Sequence, residues 1–311
     1  MSTTFSLPPD LQVGDAVTKI NQRPWHIDAK FDAIWKKTTG HGVKIAILDT
    51  GYTAHPDLPE PVFQKSYIRG ESVADGNAHG THCAGTALGR DGVGVAKGAS
   101  LMVGKVLSNS GSGGNDGIAR AIREVADAGA DVISLSLGGG GFDPTVRDSY
   151  LYALDKGCIL PTAAGNAGFN GANTIGHPGK LFESLCIGAY GENGEIARYS
   201  SGGRELDVAC PGSNIVSTSN RGSGYTTMSG TSMATPFMAG LCALIIQLER
   251  QEGHAAMKGI EAWRSFLQKF SRDAGAPGRD DRFGFGIPRA AFIVDSLAAD
   301  DVTMMSVDEA P

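Results

Sequence analysis

Three polar residues stand where a chain of alternating strands and helices would display chemistry. Asp49 closes the apolar run GVKIAILDT, and His79 opens the small-residue segment HGTHCAGTALG. Ser232 lies in GTSMATP, at the mouth of the apolar stretch FMAGLCALIIQL. Each has a plain structural role open to it. Asp49 can be a turn residue, His79 with His82 a satisfied core pair, and Ser232 a helix cap whose oxygen accepts free backbone N–H groups. Together they are what acyl transfer needs: a carboxylate fixes the imidazole tautomer, the imidazole takes the serine proton, and the serine oxygen attacks a carbonyl. A hydroxyl at a helix start also lies beside backbone donors and the positive end of the helix dipole, which favours developing negative charge. Asn166, ending TAAGN, brings a side-chain amide that can donate to the oxyanion alongside the backbone N–H of Ser232. Alone, it reads equally well as a turn residue before Gly168.

The elements that would hold these residues follow from the hydrophobic pattern. Strands are predicted over 42–50, 100–107, 130–137, 158–164, 184–190 and 205–212. Helices are predicted over 79–89, 118–130 and 146–157, with a long apolar helix after Ser232. Strands alternating with helices imply βαβ units and a mostly parallel sheet covered on both faces, an α/β fold. Sites in such sheets gather beyond the carboxyl ends of the strands, where Asp49 and Asn166 fall.

Composition narrows the rest. The chain has 311 residues and a formal net charge of −6, with no basic cluster, so nucleic acid and anionic lipid are poor partners. The longest apolar run, around 238–248, is interrupted by Gly240 and reads as too short to span a bilayer. The first residues, MSTTFSLPPDLQVGD, lack the basic start and apolar core of a secretory leader. Five scattered cysteines, an odd number without metal-ligand spacing, read as buried thiols in a reducing compartment. The expectation is a soluble cytoplasmic protein.

AILDTG, HGTHCAGT, SLSLGGG, AAGN and GTSMATP, in the order Asp, His, Ser, resemble the signatures of the subtilisin-like serine proteases, the subtilases. The likeness runs from about Trp25 to Ala290. HGTHCAGT and SLSLGGG look most like the proteinase K branch, and HPGKLFESLCIGA like the bacterial subtilisins. The resemblance implies a single subtilisin-like α/β domain over 25–295, between an N-terminal arm (1–24) and an acidic tail (296–311). It implies a serine endopeptidase acting on proteins or peptides, with Asp49, His79 and Ser232 as the triad and Asn166 as oxyanion donor. Two backbone edges, Gly111–Ser112–Gly113 and Ser136–Leu137–Gly138, would pair with an extended substrate. Gly176 and Ala167 would form the floor and wall of an uncharged pocket suited to large apolar side chains before the cleaved bond.

No cofactor is implied for catalysis. A weak calcium or monovalent-cation site is expected where carbonyls of Gly179, Leu181 and Ser184 meet the carboxylate of Asp207. The tight calcium loop of bacterial members shrinks here to ALGRDGV, and Phe237 stands where the family commonly has His. FSLPPD (5–10) lies about as far before the core as the inhibitory segment of intracellular subtilisin proenzymes. Leu7 would enter the substrate edges there, and Pro8 and Pro9 would bend the chain out of a cleavable geometry. The same likeness allows a homodimer, which no residue marks. Two other classes fit less well. A catalytically dead binding module would have no need of every catalytic position. An aspartic protease built on DTG needs a second facing carboxylate, and no second DTG or DSG exists. GSGGNDG lacks the glycine spacing and acidic partner of a dinucleotide loop.

Overall fold

Every residue of KIAILD after Lys44 is buried, Ile45 and Ile47 in one apolar cluster and Ala46 and Leu48 in another. Burial on both faces marks this run as the middle of a parallel sheet. The structure, a computed structural model, describes residues 4–7, 12–17, 31–90, 92–139, 141–253 and 257–297. In chain order it has β1 (Thr4–Ser6), β2 (Gln12–Val17), the single turn α1 (Phe31–Ile34), β3 (Lys44–Asp49) and β4 (Phe63–Ser66). Next come α2 (His79–Leu88), β5 (Ser100–Lys105), β6 (Ser112–Gly114), α3 (Asn115–Asp127), β7 (Val132–Ser134) and α4 (Pro144–Asp155). They are followed by β8 (Pro161–Ala163), β9 (Leu185–Tyr190), β10 (Val208–Pro211), β11 (Ile215–Thr218) and β12 (Tyr225–Ser229). The chain ends with α5 (Thr231–Gln251), α6 (Gly259–Phe270), β13 (Ser271–Arg272), β14 (Ile287–Pro288) and α7 (Ala290–Leu297).

The parallel strands run in the order β4-β5-β3-β7, then β8-β9-β10. Parallel bridges Val132↔Ile159 and Leu135↔Thr162 stitch the two groups together. The order reverses beside β3, and in sheets of this kind that is where a crevice opens at the carboxyl ends. Helices α3 and α4 contribute to the cluster on one face, and α2 and α5 to that on the other. Helix α4 starts cleanly because Asp143 accepts from the N–H groups of Thr145 and Val146 while Pro144 fills the first helical position.

Helix α5 corrects the reading of the apolar run. It is long and apolar enough to cross a membrane by length and composition, yet its most apolar window is 94% buried inside the fold. It is the core helix. Gly240 serves its packing rather than interrupting it: a Cβ there would lie 2.6 Å from the carbonyl oxygen of Ala87, so only glycine lets α2 and α5 approach this closely. Helix α3 begins at Asn115, three residues before the expected start. The segment expected as a loose tail includes Ser296 and Leu297, which end α7; its remainder lies outside the described residues.

Candidate active site

Asp49, at the end of β3, and His79, at the start of α2, are both buried, and His79 Nδ1 lies 2.8 Å from Asp49 Oδ1. The same carboxylate oxygen accepts the N–H of Thr50 at 2.7 Å. Burial pulls the His79 imidazole towards its neutral form. The Asp49 carboxylate outweighs this and holds its pKa well above the ordinary 6.5. With Nδ1 on Asp49, Nε2 is the nitrogen left to act as a base, and it finds no hydrogen-bond partner among the described residues.

Ser232 is the second residue of α5 and fully buried. Its hydroxyl donates to the carbonyl of Ser136 at 3.3 Å, and the Ser136 hydroxyl donates back to the Ser232 carbonyl at 2.8 Å. The serine thus rests against the segment Ser136–Gly138 rather than on His79, and such bonds often tighten only once a site is filled. Asn166 is set by Thr231, the residue before the serine. Thr231 N–H and Oγ1 both donate to Asn166 Oδ1, at 3.0 and 2.9 Å. The amide is thereby oriented with Nδ2 facing away, buried and without a partner among the described residues. A positioned donor with nothing to donate to is what an oxyanion site requires. Sequence reading missed Thr231; its only signal was that it precedes the candidate nucleophile.

The two backbone edges are also brought together, and they are occupied. Strand β1 pairs antiparallel with β6, with Phe5 opposite Gly113 and Ser6 opposite Ser112. Ser6 exchanges both backbone bonds with Gly138 at 3.2 Å, and Leu7 N–H donates to the Gly111 carbonyl at 2.9 Å. The edge needs glycine at Gly113, where a Cβ would sit 2.0 Å from the carbonyl oxygen of Val106. Phe5 is 1% exposed and joins the cluster that holds Leu107, Leu135 and Leu137. Strand β2 pairs with β12, placing Gln12 opposite Ser229, three residues before Ser232. Pro8 and Pro9 lie outside the described residues. Gly176 is fixed by its N–H to the Ala164 carbonyl at 3.1 Å, and Gly139 N–H ties the neighbouring His177 carbonyl to the second edge at 3.1 Å.

Residues 40–286 match the Subtilase family. Over 214 residues the chain is 42% identical to Subtilisin DY of Bacillus licheniformis, covering 67% of this chain and 77% of that protein. It is 40% identical to Subtilisin Savinase of Lederbergia lenta over 67% of this chain and 78% of the relative. An intracellular serine protease of Paenibacillus polymyxa is 37% identical over 74% of each chain. The chain is a subtilase. Subtilases are serine endopeptidases and use no cofactor for catalysis.

Asp207, where a cation is expected, is paired in this subtilase with a side chain. Arg264 Nε donates to Asp207 Oδ1 at 2.8 Å and Arg264 Nη2 to the Ser184 carbonyl at 3.2 Å. Asp207 Oδ2 accepts the Cys186 N–H, and the Leu181 carbonyl accepts the Ser184 N–H. The carboxylate and two of the three proposed carbonyl ligands therefore have partners, and the positive charge facing Asp207 is a guanidinium. No sequence spacing links Arg264 to Asp207; the pair forms only when α6 lies by Ser184 and Asp207, the residues just before β9 and β10.

Cys83 lies one turn along α2 from His79, on the same face. Its sulfur is 3.8 Å from His79 Nδ1 and 3.5 Å from the Ser232 carbonyl. Burial pushes the thiol pKa up, so it packs as a neutral side chain. A mercurial that reaches it gains a soft sulfur ligand beside an imidazole. Mercuric reagents are therefore expected to inhibit the wild-type subtilase, and Cys83→Val to remain active in their presence. Equal inhibition of the two proteins would place the reactive thiol elsewhere.

Proposed function

We propose that this subtilase cleaves peptide bonds with Asp49, His79 and Ser232 as its triad and Asn166 as an oxyanion donor. The observation that carries the reading is the buried Asp49–His79 bond of 2.8 Å beside a helix-start serine and an orphaned amide. Asp49 holds the ring by Nδ1, which leaves Nε2 as the base. Nε2 takes the Ser232 proton as Oγ attacks the scissile carbonyl, then gives it to the leaving amine. Asn166 Nδ2 and the N–H of Ser232 stabilise the oxyanion. Neutral His79 is the base, so kcat/KM rises as pH climbs through its raised pKa. Substrate lies between Gly111–Gly113 and Ser136–Gly138, and the uncharged pair Gly176 and Ala167 favours large apolar residues before the cut.

The N-terminal arm is a built-in inhibitor in this reading. Its support is that β1 uses the backbone groups an extended substrate would use, while β2 covers the strand leading to Ser232. An enzyme held this way suits the cytoplasm, where free proteolysis harms the host. Five buried cysteines with free thiols fit the same compartment. A peptide-library cleavage profile tests the catalytic reading. The expected result is cutting after large apolar residues, abolished by a sulfonyl fluoride. Cutting only after Lys or Arg would overturn the pocket, and insensitivity to the reagent would overturn the serine mechanism.

A further inference from the structure

Lys105 ends β5 in register with Asp49 on β3, and its side chain is fully buried. Burying an ammonium is costly unless its surroundings compensate it, and an apolar residue of similar volume would often serve packing as well. The acceptors here come from three segments. The ammonium donates to the carbonyl of Thr50, donates to Asn109 Oδ1 at 2.8 Å, and pairs with Glu71 Oε2 at 3.2 Å.

Two of these acceptors belong to the site itself. Thr50 follows Asp49, donates its N–H to Asp49 Oδ1, and accepts at Oγ1 the N–H of Gly80, the residue after His79, at 2.9 Å. The Thr50 hydroxyl donates in turn to Asp75 Oδ1 at 2.9 Å. Asp75 also accepts the N–H groups of Ala78 and Thr81 around the start of α2. The Thr50 peptide is thus the shared footing of Asp49 and His79. Asn109 lies in the turn that opens the first substrate edge, closed by Gly111 N–H to Ser108 O and Ser108 N–H to Ser112 O, both 2.8 Å. Glu71 Oε2, the counter-charge of Lys105, also accepts the Asn109 N–H at 2.9 Å. One buried ammonium therefore ties the turn beneath Asp49 and His79 to the base of the strand that receives substrate.

We propose that Lys105 is a positioning residue that couples occupancy of the edge Gly111–Gly113 to the alignment of Asp49 and His79. The proposal rests on the triad assigned above and deepens it. A peptide that pairs with Gly111 and Gly113 orders the edge and its turn. Asn109 and Lys105 pass that order to the Thr50 carbonyl, so a longer substrate gains in kcat and not only in KM.

The test compares two substrates with the same residue before the cut and the same leaving group. One is a single acylated residue, and the other a tetrapeptide long enough to pair with the edge. All proteins are full chains carrying Phe5→Ala, so that the arm does not compete for the edge. Lys105→Met removes the ammonium. Asn109→Ala cuts the link at an exposed side chain and leaves the Lys105 ammonium its Thr50 and Glu71 partners, which keeps the test usable if Lys105→Met folds poorly. The expected result is that the ratio of kcat for the long substrate to kcat for the short one falls about tenfold in either variant, within the usual range for coupled sites. An equal loss on both substrates, or a change confined to KM, overturns the coupling. Turnover of the short substrate by the Phe5→Ala parent, or by the protein lacking residues 1–17, separates this from the underlying reading: without it in either protein the triad assignment fails and the coupling with it, whereas turnover with an unchanged ratio sinks the coupling alone.

Discussion

Ser232→Ala is expected to lower kcat by about six orders of magnitude and to leave the fold in place. The scale is the loss measured for the nucleophile of subtilisin, a member of the same family. It follows from the chemistry: without Oγ no acyl-enzyme forms, and the faint remaining rate comes from binding and the oxyanion donors acting on water. The structural cost is small by comparison. Ser232 Oγ makes one long bond, 3.3 Å to the Ser136 carbonyl, worth about 1 kcal/mol at most. Alanine returns part of that through its better helix propensity. The variant should therefore melt within a few degrees of wild type while failing to react with a sulfonyl fluoride. Turnover within tenfold of wild type would remove Ser232 from the mechanism.

What could be read from the sequence, and what could not, divides along the range of the interactions. Asp49, His79, Ser232 and Asn166 each sit at the end of a periodic segment, so local pattern marks them and a parallel sheet brings such ends to one side. The supports of that cluster are non-local. Thr231 orients Asn166 across 65 positions, and Lys105 reaches Thr50 across 55. A lysine at a strand end carries no mark of being buried, and Asp75 looks like one more loop acid. Arg264 and Asp207 show the same limit: nothing near Asp207 in the sequence marks the guanidinium that a later helix brings against it. Length misled at α5, where the apolar run understates a 21-residue helix because Thr231, Ser232, Thr235 and Pro236 interrupt the apolar pattern of its first two turns.

Removing residues 1–11 is expected to raise the initial rate on a peptide substrate and to abolish any lag. The arm competes for the site as a tethered ligand, so its hold depends on the free energy of seating β1 and not on concentration. Phe5 supplies much of it. A phenylalanine moved from water to 1% exposure contributes about 2–3 kcal/mol. Phe5→Ala alone should then raise the open population of the inhibited protein by about 30- to 150-fold, until the open form predominates. The backbone bonds of Ser6 and Leu7 to Gly138 and Gly111 add register more than affinity, since each replaces a bond to water. Strand β2 sets a second condition. It pairs with β12 on the strand leading to Ser232, so a truncation that stops before Gln12 leaves this cover in place. If β2 also obstructs the site, deletion of residues 1–17 will raise the initial rate beyond that of the shorter truncation. Identical initial rates for full-length protein, Phe5→Ala and both truncations, with no lag in any, would reduce the arm to a packed terminus.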